Sequence, residues 1–364
     1  MSTVSAPTPP NSDDPRPLTR KGVAPIVMSL GLGAIGGAIF AVIGVPLAWM
    51  LGPMVANIIA SVRGAPVLVP HSVRVVTLCV IGVFLGGSFS PDLLARAGEW
   101  AVSLSLMVVF IPLITIIASF YYRRYAAFDP PTAMFSGAPG TLTAMVIIGG
   151  ESGADERMIA LTQGLRVAIV IFLLPMIVTL ATAAGPTSAS FLPDGGPFVW
   201  SDGLMLLAAA IVGFSLARMF NLPASAMTGA MLVSAALYLS GFVSWRPPDA
   251  ALSACLWVLG SATGSRFSTV TAQTFFRVSR HAVAATAVVI GVSAVFAWAV
   301  SGITGAAFLT TLLAFTPGGV AEMCLIAIAF DIDPAFVAVH HLARIAILIT
   351  AAPLAAKWLA ARAA

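Results

Sequence analysis

Two short stretches carry groups able to recognise a charged solute: Ser136-Gly137-Ala138-Pro139-Gly140-Thr141-Leu142-Thr143 and Thr316-Pro317-Gly318-Gly319-Val320-Ala321-Glu322. Each sets a Pro-Gly pair inside apolar sequence. Such a pair breaks a helix and leaves main-chain N–H and C=O groups without helical partners. In lipid, a break of this kind is tolerated only where protein buries it or where it lines water. Helix N-termini opened there would offer N–H donors and the positive end of a dipole to an anion. The segments that follow carry Arg166 and Arg344, each deep inside a long apolar run. Charges at such depth usually face the bundle interior or an aqueous path.

Ser136, Gly137, Ala138, Pro139, Gly140, Thr141, Thr143, Arg166, Thr316, Pro317, Gly318, Gly319 and Arg344 are therefore the expected solute-binding set. Glu322, His340, Asp155 and Asp333 are the expected carriers of a coupling ion or proton. Two plainer readings stand beside this one. The breaks would be ordinary kinks, and the arginines would be paired with Asp155, Asp333 or Glu322 as structural ion pairs. Thr162 and His340 sit four residues before the arginines, on the same helix faces. His340 and His341 are adjacent and so point to different faces, and no further ligands lie near them, so no metal and no cofactor is expected. Cys79, Cys255 and Cys324 stand singly in apolar segments without metal-ligand spacing and read as small core residues.

The elements that must hold these groups are membrane helices. Of 364 residues, 59% are hydrophobic and 9% charged, against roughly 25% charged in soluble domains. Apolar runs at residues 102–120, 158–180 and 282–300 are each long enough to cross a hydrocarbon core of about 30 Å as a helix. Their lack of alternation argues against barrel strands. The net charge of +4 points to basic cytoplasmic loops rather than to nucleic acid. Residues 1–21 are polar and Pro-rich, have no apolar h-region of a cleaved signal peptide, and read as a disordered cytoplasmic tail.

The chain also repeats itself. GVPLAWMLGPM at residues 44–54 aligns with NLPASAMTGAM at 221–231, matching Pro46, Met50, Gly52 and Met54 to Pro223, Met227, Gly229 and Met231. Gly82, Gly86, Phe89 and Ser90 align with Gly260, Gly264, Phe267 and Ser268, 178 residues on. Residues 139–175 align with 317–353 at the same offset with eleven identities, including the Pro-Gly pair, Asp155 with Asp333 and Arg166 with Arg344. Two membrane repeats follow, 22–184 and 203–364, joined by a Gly-, Pro- and Ser-rich linker at 185–202. GxxxG spacings at Gly33–Gly37, Gly82–Gly86 and Gly260–Gly264 let helices approach closely.

Spans are expected near 24–43, 45–61, 73–89, 101–121 and 157–181. Basic residues before the first (Arg16, Arg20, Lys21), after the second (Arg63, Arg74) and after the fourth (Arg123, Arg124) place the N-terminus in the cytoplasm. The third loop of the second half, with Arg266, Arg277, Arg280 and His281, carries the opposite bias to its counterpart around Asp92, Arg96 and Glu99. That swap predicts inverted repeats, each of five crossings plus one non-crossing hairpin, at 131–150 and 303–330. Two parallel six-span halves are the competing arrangement.

The motifs GxPLxWMLGPM, GxxxGxxFSPDLL at 82–94, SGAPGTLTAM at 136–145, TPGGxAEM at 316–323 and DPAFVAxHHxxR at 333–344 resemble those of the AbrB family of bacterial membrane proteins. The resemblance covers residues 24–358 and implies a duplicated inner-membrane protein. Its members are labelled regulators of gene expression or ammonia monooxygenases, and neither label follows from these residues. An oxygenase metal needs several converging ligands, and the chain has four His. A DNA-binding regulator needs a basic recognition module, and the polar tails are short. The sequence thus predicts an all-α polytopic protein of the bacterial inner membrane, not an enzyme. It would move a small organic anion by alternating access at the repeat interface. The lipid bilayer and the solute are its expected partners, nucleic acid is not, and a homo-oligomer is compatible with all of this. A sensor acting through a partner protein is the alternative, and a monooxygenase a weaker one.

Overall fold

Proline and glycine set the helix ends. In the computed structural model, α1 (Ala24–Ile43) begins with a proline in its first turn and ends at Gly44, whose φ of 79° is left-handed. Val45 and Pro46 turn the chain, and Leu47 at φ 52° feeds α2 (Ala48–Val62). The same turn recurs before the second of the later helices, with Ala224 at φ 50°. The structure describes residues 22–89, 98, 100–182 and 199–363, and the expected tail, most of the linker and the loop at 90–97 lie outside them.

The chain continues through α3 (His71–Gly86), α4 (Trp100–Tyr125), α5 (Pro130–Gly137), α6 (Leu142–Glu151) and α7 (Glu156–Thr182). It then runs through α8 (Trp200–Met219), α9 (Ser225–Leu239), α10 (Asp249–Ser265), a 3-10 turn at Arg266–Thr269, α11 (Ala272–Thr304), α12 (Phe308–Phe315), α13 (Val320–Ala329) and α14 (Pro334–Ala363). Among the described residues there is no strand. The helix lengths run 20, 15, 16, 26, 8, 10 and 27 residues, then 20, 15, 17, 33, 8, 10 and 30.

Six helices, α1, α4, α7, α8, α11 and α14, are long and apolar enough to cross a membrane. Their outward side chains include Ile35, Ile39, Val108, Ile116, Leu207, Ile211 and Val295, all exposed. Such a surface is at home in lipid, and the protein is a polytopic membrane protein. In the first half the expected second and third spans, 45–61 and 73–89, are helices of 15 and 16 residues, slightly shorter than read. A 15-residue helix such as α2 is only about 22 Å long. The Gly-x-Pro turn at 44–46 takes up residues that hydropathy alone would assign to the span.

Glycines set the packing. Gly36 of α1 faces Gly52 of α2 backbone to backbone, and Gly213 of α8 faces Gly229 of α9 in the same way. The third helices then cross over. Gly82 and Gly86 of α3 rest on Met227, Ala230 and Ser234 of α9, while Gly260 and Gly264 of α10 rest on the carbonyls of Met50 and Met54 of α2. Any Cβ at these sites would strike the facing chain, so only glycine permits the approach. The duplicated methionines Met50, Met54, Met227 and Met231 are buried in the core that these crossings enclose. Between α1 and α2, Ser29 Oγ donates to Asn57 Oδ1 (2.7 Å), and Asn57 Nδ2 donates to Ser29 O (3.0 Å).

Candidate functional site

The first Pro-Gly break is the tip of a hairpin. Asp129 caps α5 by accepting from Thr132 N–H (3.0 Å), and the helix runs eight residues before Ala138 and Pro139 end it. Thr141 Oγ1 then accepts from Ala144 N–H (3.4 Å), capping α6. The chain returns along itself: Asp155 N–H donates to Thr132 Oγ1 (2.8 Å), and Gly149 packs toward Phe135. Start and finish therefore lie together, as a non-crossing hairpin requires. In the later half, α12, Thr316-Pro317-Gly318-Gly319 and α13 form the matching break. Under the two tips sit Met145 and Met323, each filling the space that a side chain on Gly140 or Gly318 would need.

Side chains of α7 and α14 hold the tips in place. Arg166 donates to Gly137 O (3.5 Å) and Ala138 O (3.1 Å) and to Gln163 Oε1 (2.5 Å). Arg344 donates to Thr316 O (3.3 Å) and Gly318 O (3.0 Å). Both guanidiniums thus sit at the carbonyl end of a short helix, where a cation is favoured. Gln163 Nε2 donates to Phe135 O (2.7 Å) and Ala138 O (2.8 Å). His341, 178 residues on, places Nε2 3.0 Å from Leu313 O. A carbonyl only accepts, so this nitrogen carries the proton.

Asp155 and Asp333, which the plainer reading paired with the arginines, serve as helix caps. Asp155 Oδ1 accepts from Arg157 N–H (2.9 Å) and Met158 N–H (3.1 Å) at the start of α7. Asp333 Oδ1 does the same for Ala335 (2.9 Å) and Phe336 (3.1 Å) at the start of α14. Carboxylates at helix N-termini are well placed where they are, and the bonds of the Arg166 and Arg344 side chains go to main-chain carbonyls and Gln163 rather than to either of them. His340 is turned away as well. Its Nε2 lies 2.7 Å from Ser103 Oγ, its Nδ1 lies 2.8 Å from Phe336 O, and its ring stacks on Phe336.

Both tips open on one cavity of about 810 Å³. Gly140, Thr141, Leu142 and Thr143 line it from one hairpin, and Gly318, Gly319, Val320, Ala321 and Glu322 from the other. Each contribution is the first turn of a helix, α6 or α13, the part of a helix whose main-chain N–H groups lack helical partners. Of the expected binding set, Arg344 borders the cavity, whereas Arg166, Ser136, Gly137, Ala138, Pro139, Thr316 and Pro317 do not line it. Of the expected ion carriers, Glu322 and Asp155 border it, whereas His340 and Asp333 do not. Glu322 is buried and folds back over Gly319.

Most of the positive charge comes from residues that the sequence reading treated as loop markers. Arg74 of α3, Arg157 of α7, Arg266 of the 3-10 turn and Arg277 of α11 join Arg344 on the cavity wall, against Asp155, Glu156 and Glu322. Five arginines face three acids, a net positive lining. The signal was present in Gly264-Ser265-Arg266-Phe267-Ser268, where an arginine stands two residues after a close-packing GxxxG pair. Among the described residues no three His, Cys, Asp or Glu side chains are grouped to hold a metal.

A family model described as Transition state regulatory protein AbrB matches residues 49–360. A Bacillus subtilis (strain 168) protein named "Uncharacterized protein YhjN" is 26% identical over 352 residues, covering 89% of this chain and 90% of its own length. An Escherichia coli (strain K12) protein named "Putative regulator AbrB" is 24% identical over 321 residues, covering 88% and 92%.

Proposed function

This chain belongs to the AbrB family, and we propose that it is a secondary transporter of a small organic anion that carries out no chemistry on its solute. The observation that carries the reading is the single cavity onto which both broken-helix tips open, with an excess of arginine on its wall. Discontinuous helices whose N-termini meet at a central cavity are a recurring way to hold an anionic group inside a membrane. The cavity lies within the usual volume range of small-molecule sites. In this reading the solute's anionic group accepts from main-chain N–H groups near Thr141 and Gly319, and Arg74, Arg266 and Arg344 supply the positive field.

The halves act as inverted repeats in the bacterial inner membrane, with the N-terminus in the cytoplasm. The swapped loop charges and the twice-run order of helix lengths support this. Alternating access is the motion of the hairpin-bearing helices (α4–α7, α11–α14) against the glycine-packed α1–α3 and α8–α10. Glu322, which has Ala144 at the matching place, is the candidate carrier of a coupling proton or ion. The test is a thermal-shift screen of small organic anions on detergent-purified protein. A true solute at about 100 times its dissociation constant stabilises by roughly 2.7 kcal/mol, and Arg266→Gln should weaken that response.

A second reading takes its support from the regulator name of the E. coli relative. Here the same cavity senses its solute and signals to a partner protein. Binding would be retained, and flux across a sealed bilayer would be absent.

A further inference from the structure

The first hairpin holds a second, much smaller polar space on its other side. Ser136 and Gly137 of α5, Arg166 of α7, Ala118 and Tyr122 of α4, and Ala285, Thr286 and Val289 of α11 line a space of about 10 Å³, room for one small particle. Ser136, Thr286 and Arg166 are 2%, 1% and 5% exposed. Ser136 Oγ, Thr286 Oγ1 and Arg166 Nε are all buried with no protein partner. Three unmet polar groups on one space are costly unless something there answers them.

From these groups we infer that Arg166, Ser136 and Thr286 form a binding site for one monatomic monovalent anion of the halide class. Serine and threonine hydroxyls within helices commonly donate to the carbonyl four residues back. Thr77, Thr115, Ser215 and Thr350 of this chain do so. Ser136 and Thr286 do not, so their hydroxyl protons remain available. With Arg166 Nε–H they make a three-donor set around a full positive charge. The carboxylates that would otherwise neutralise Arg166 are committed elsewhere, Asp155 to the α7 cap and Glu322 to the main cavity. A halide needs only donors and accepts charge-assisted bonds from all three groups. The positions matched at an offset of 178 are Ala314 for Ser136 and Val108 for Thr286, so the donor set exists on one hairpin only. Bound there, the anion would tie α5 to α11 and offset Arg166, which the large cavity does not reach.

The test is the thermal unfolding midpoint of the detergent-purified full chain at constant ionic strength, in sodium chloride, bromide or gluconate. The expected result is a saturable rise in chloride and bromide, absent in gluconate, whose size excludes it from the space. Ser136→Ala with Thr286→Val should remove the halide response, and Thr286→Ser, which keeps the hydroxyl, should retain it. A wild-type midpoint that does not rise with chloride at constant ionic strength, with gluconate as the balancing anion and Ser136→Ala/Thr286→Val titrated alongside to report any effect of gluconate on the large cavity, would mean that a single water fills the space, and would overturn the inference. A halide response unchanged in Ser136→Ala/Thr286→Val would do the same, by assigning the effect to the main cavity. If that double variant does not fold, Thr286→Val alone decides by the same comparison.

Discussion

Arg344 donates to the main-chain carbonyl of Gly318 at 3.0 Å, one residue past the proline that breaks the second hairpin. The bond joins a buried charge to a carbonyl that the break has left without a helical partner. Arg166 donates to Ala138 O at 3.1 Å, one residue before the proline of the first break, as Arg344 does to the matched Thr316 O at 3.3 Å. The two arginines are therefore supports for the hairpin tips before they are anything else.

Arg166→Ala and Arg344→Ala should both lower stability, by about 1–3 kcal/mol for each buried carbonyl left unpaired. Thermal unfolding in detergent measures it. Arg344→Ala should also weaken anion binding, because Arg344 borders the cavity, whereas any loss of binding in Arg166→Ala should track its loss of stability. A variant of Arg166 with unchanged unfolding would contradict the supporting role.

His341 and Gln163 perform one task at matched positions, tying the hairpin carbonyls of Leu313 and Phe135. His341→Gln should therefore unfold near the wild-type midpoint. His341→Ala should lose on the order of 1–3 kcal/mol, since a buried carbonyl loses its donor. Equal unfolding midpoints for the two variants would show that the histidine does not act through this bond.

Gly82→Leu should prevent stable folding or expression, because a side chain there meets the Met227 carbonyl and Ala230. Gly31→Leu is the control, since nothing lies within 4 Å of a Cβ at that position. Fluorescence-detected size-exclusion of the two variants reads the difference, and comparable monodisperse peaks would contradict the crossing of α3 on α9.

How much of this was legible in the sequence differs from residue to residue. Pro139-Gly140 and Pro317-Gly318 announced the breaks because a proline removes a donor wherever it sits, and the fold honours both. The hairpin at 131–150 was read from the swapped loop charges, which call for an odd number of crossings in each half, and α5 and α6 occupy that stretch. Arg166 and Arg344 are buried, as charges inside apolar runs should be, but spacing along a helix gives a face and not a partner. Their bonds to carbonyls, rather than to Asp155 or Asp333, depend on how α5 and α12 end against them. The cavity arginines Arg74, Arg266 and Arg277 were the larger omission. They lie near helix ends, where charge bias reads as topology. They reach one wall because α3 crosses onto α9 and α10 onto α2, an arrangement no local pattern encodes.

Removing positive charge from the cavity wall should weaken an anionic solute in proportion to the field lost. Arg266→Gln and Arg74→Gln should each reduce affinity several-fold, by about 1 kcal/mol for a partly screened charge. Raising salt should weaken binding to the wild type more than to either variant. Isothermal titration with the solute identified by thermal shift gives both numbers, and affinities indifferent to these substitutions would move the site elsewhere.

The most direct measurement is uptake of that solute, radiolabelled, into sealed proteoliposomes carrying the purified chain. The account predicts saturable, protein-dependent accumulation that competes with unlabelled solute and falls sharply in Arg266→Gln and in Gly319→Leu, which crowds the second tip. Solute binding by the same preparation, with no flux across the intact bilayer, would contradict transport and leave the cavity as a sensor.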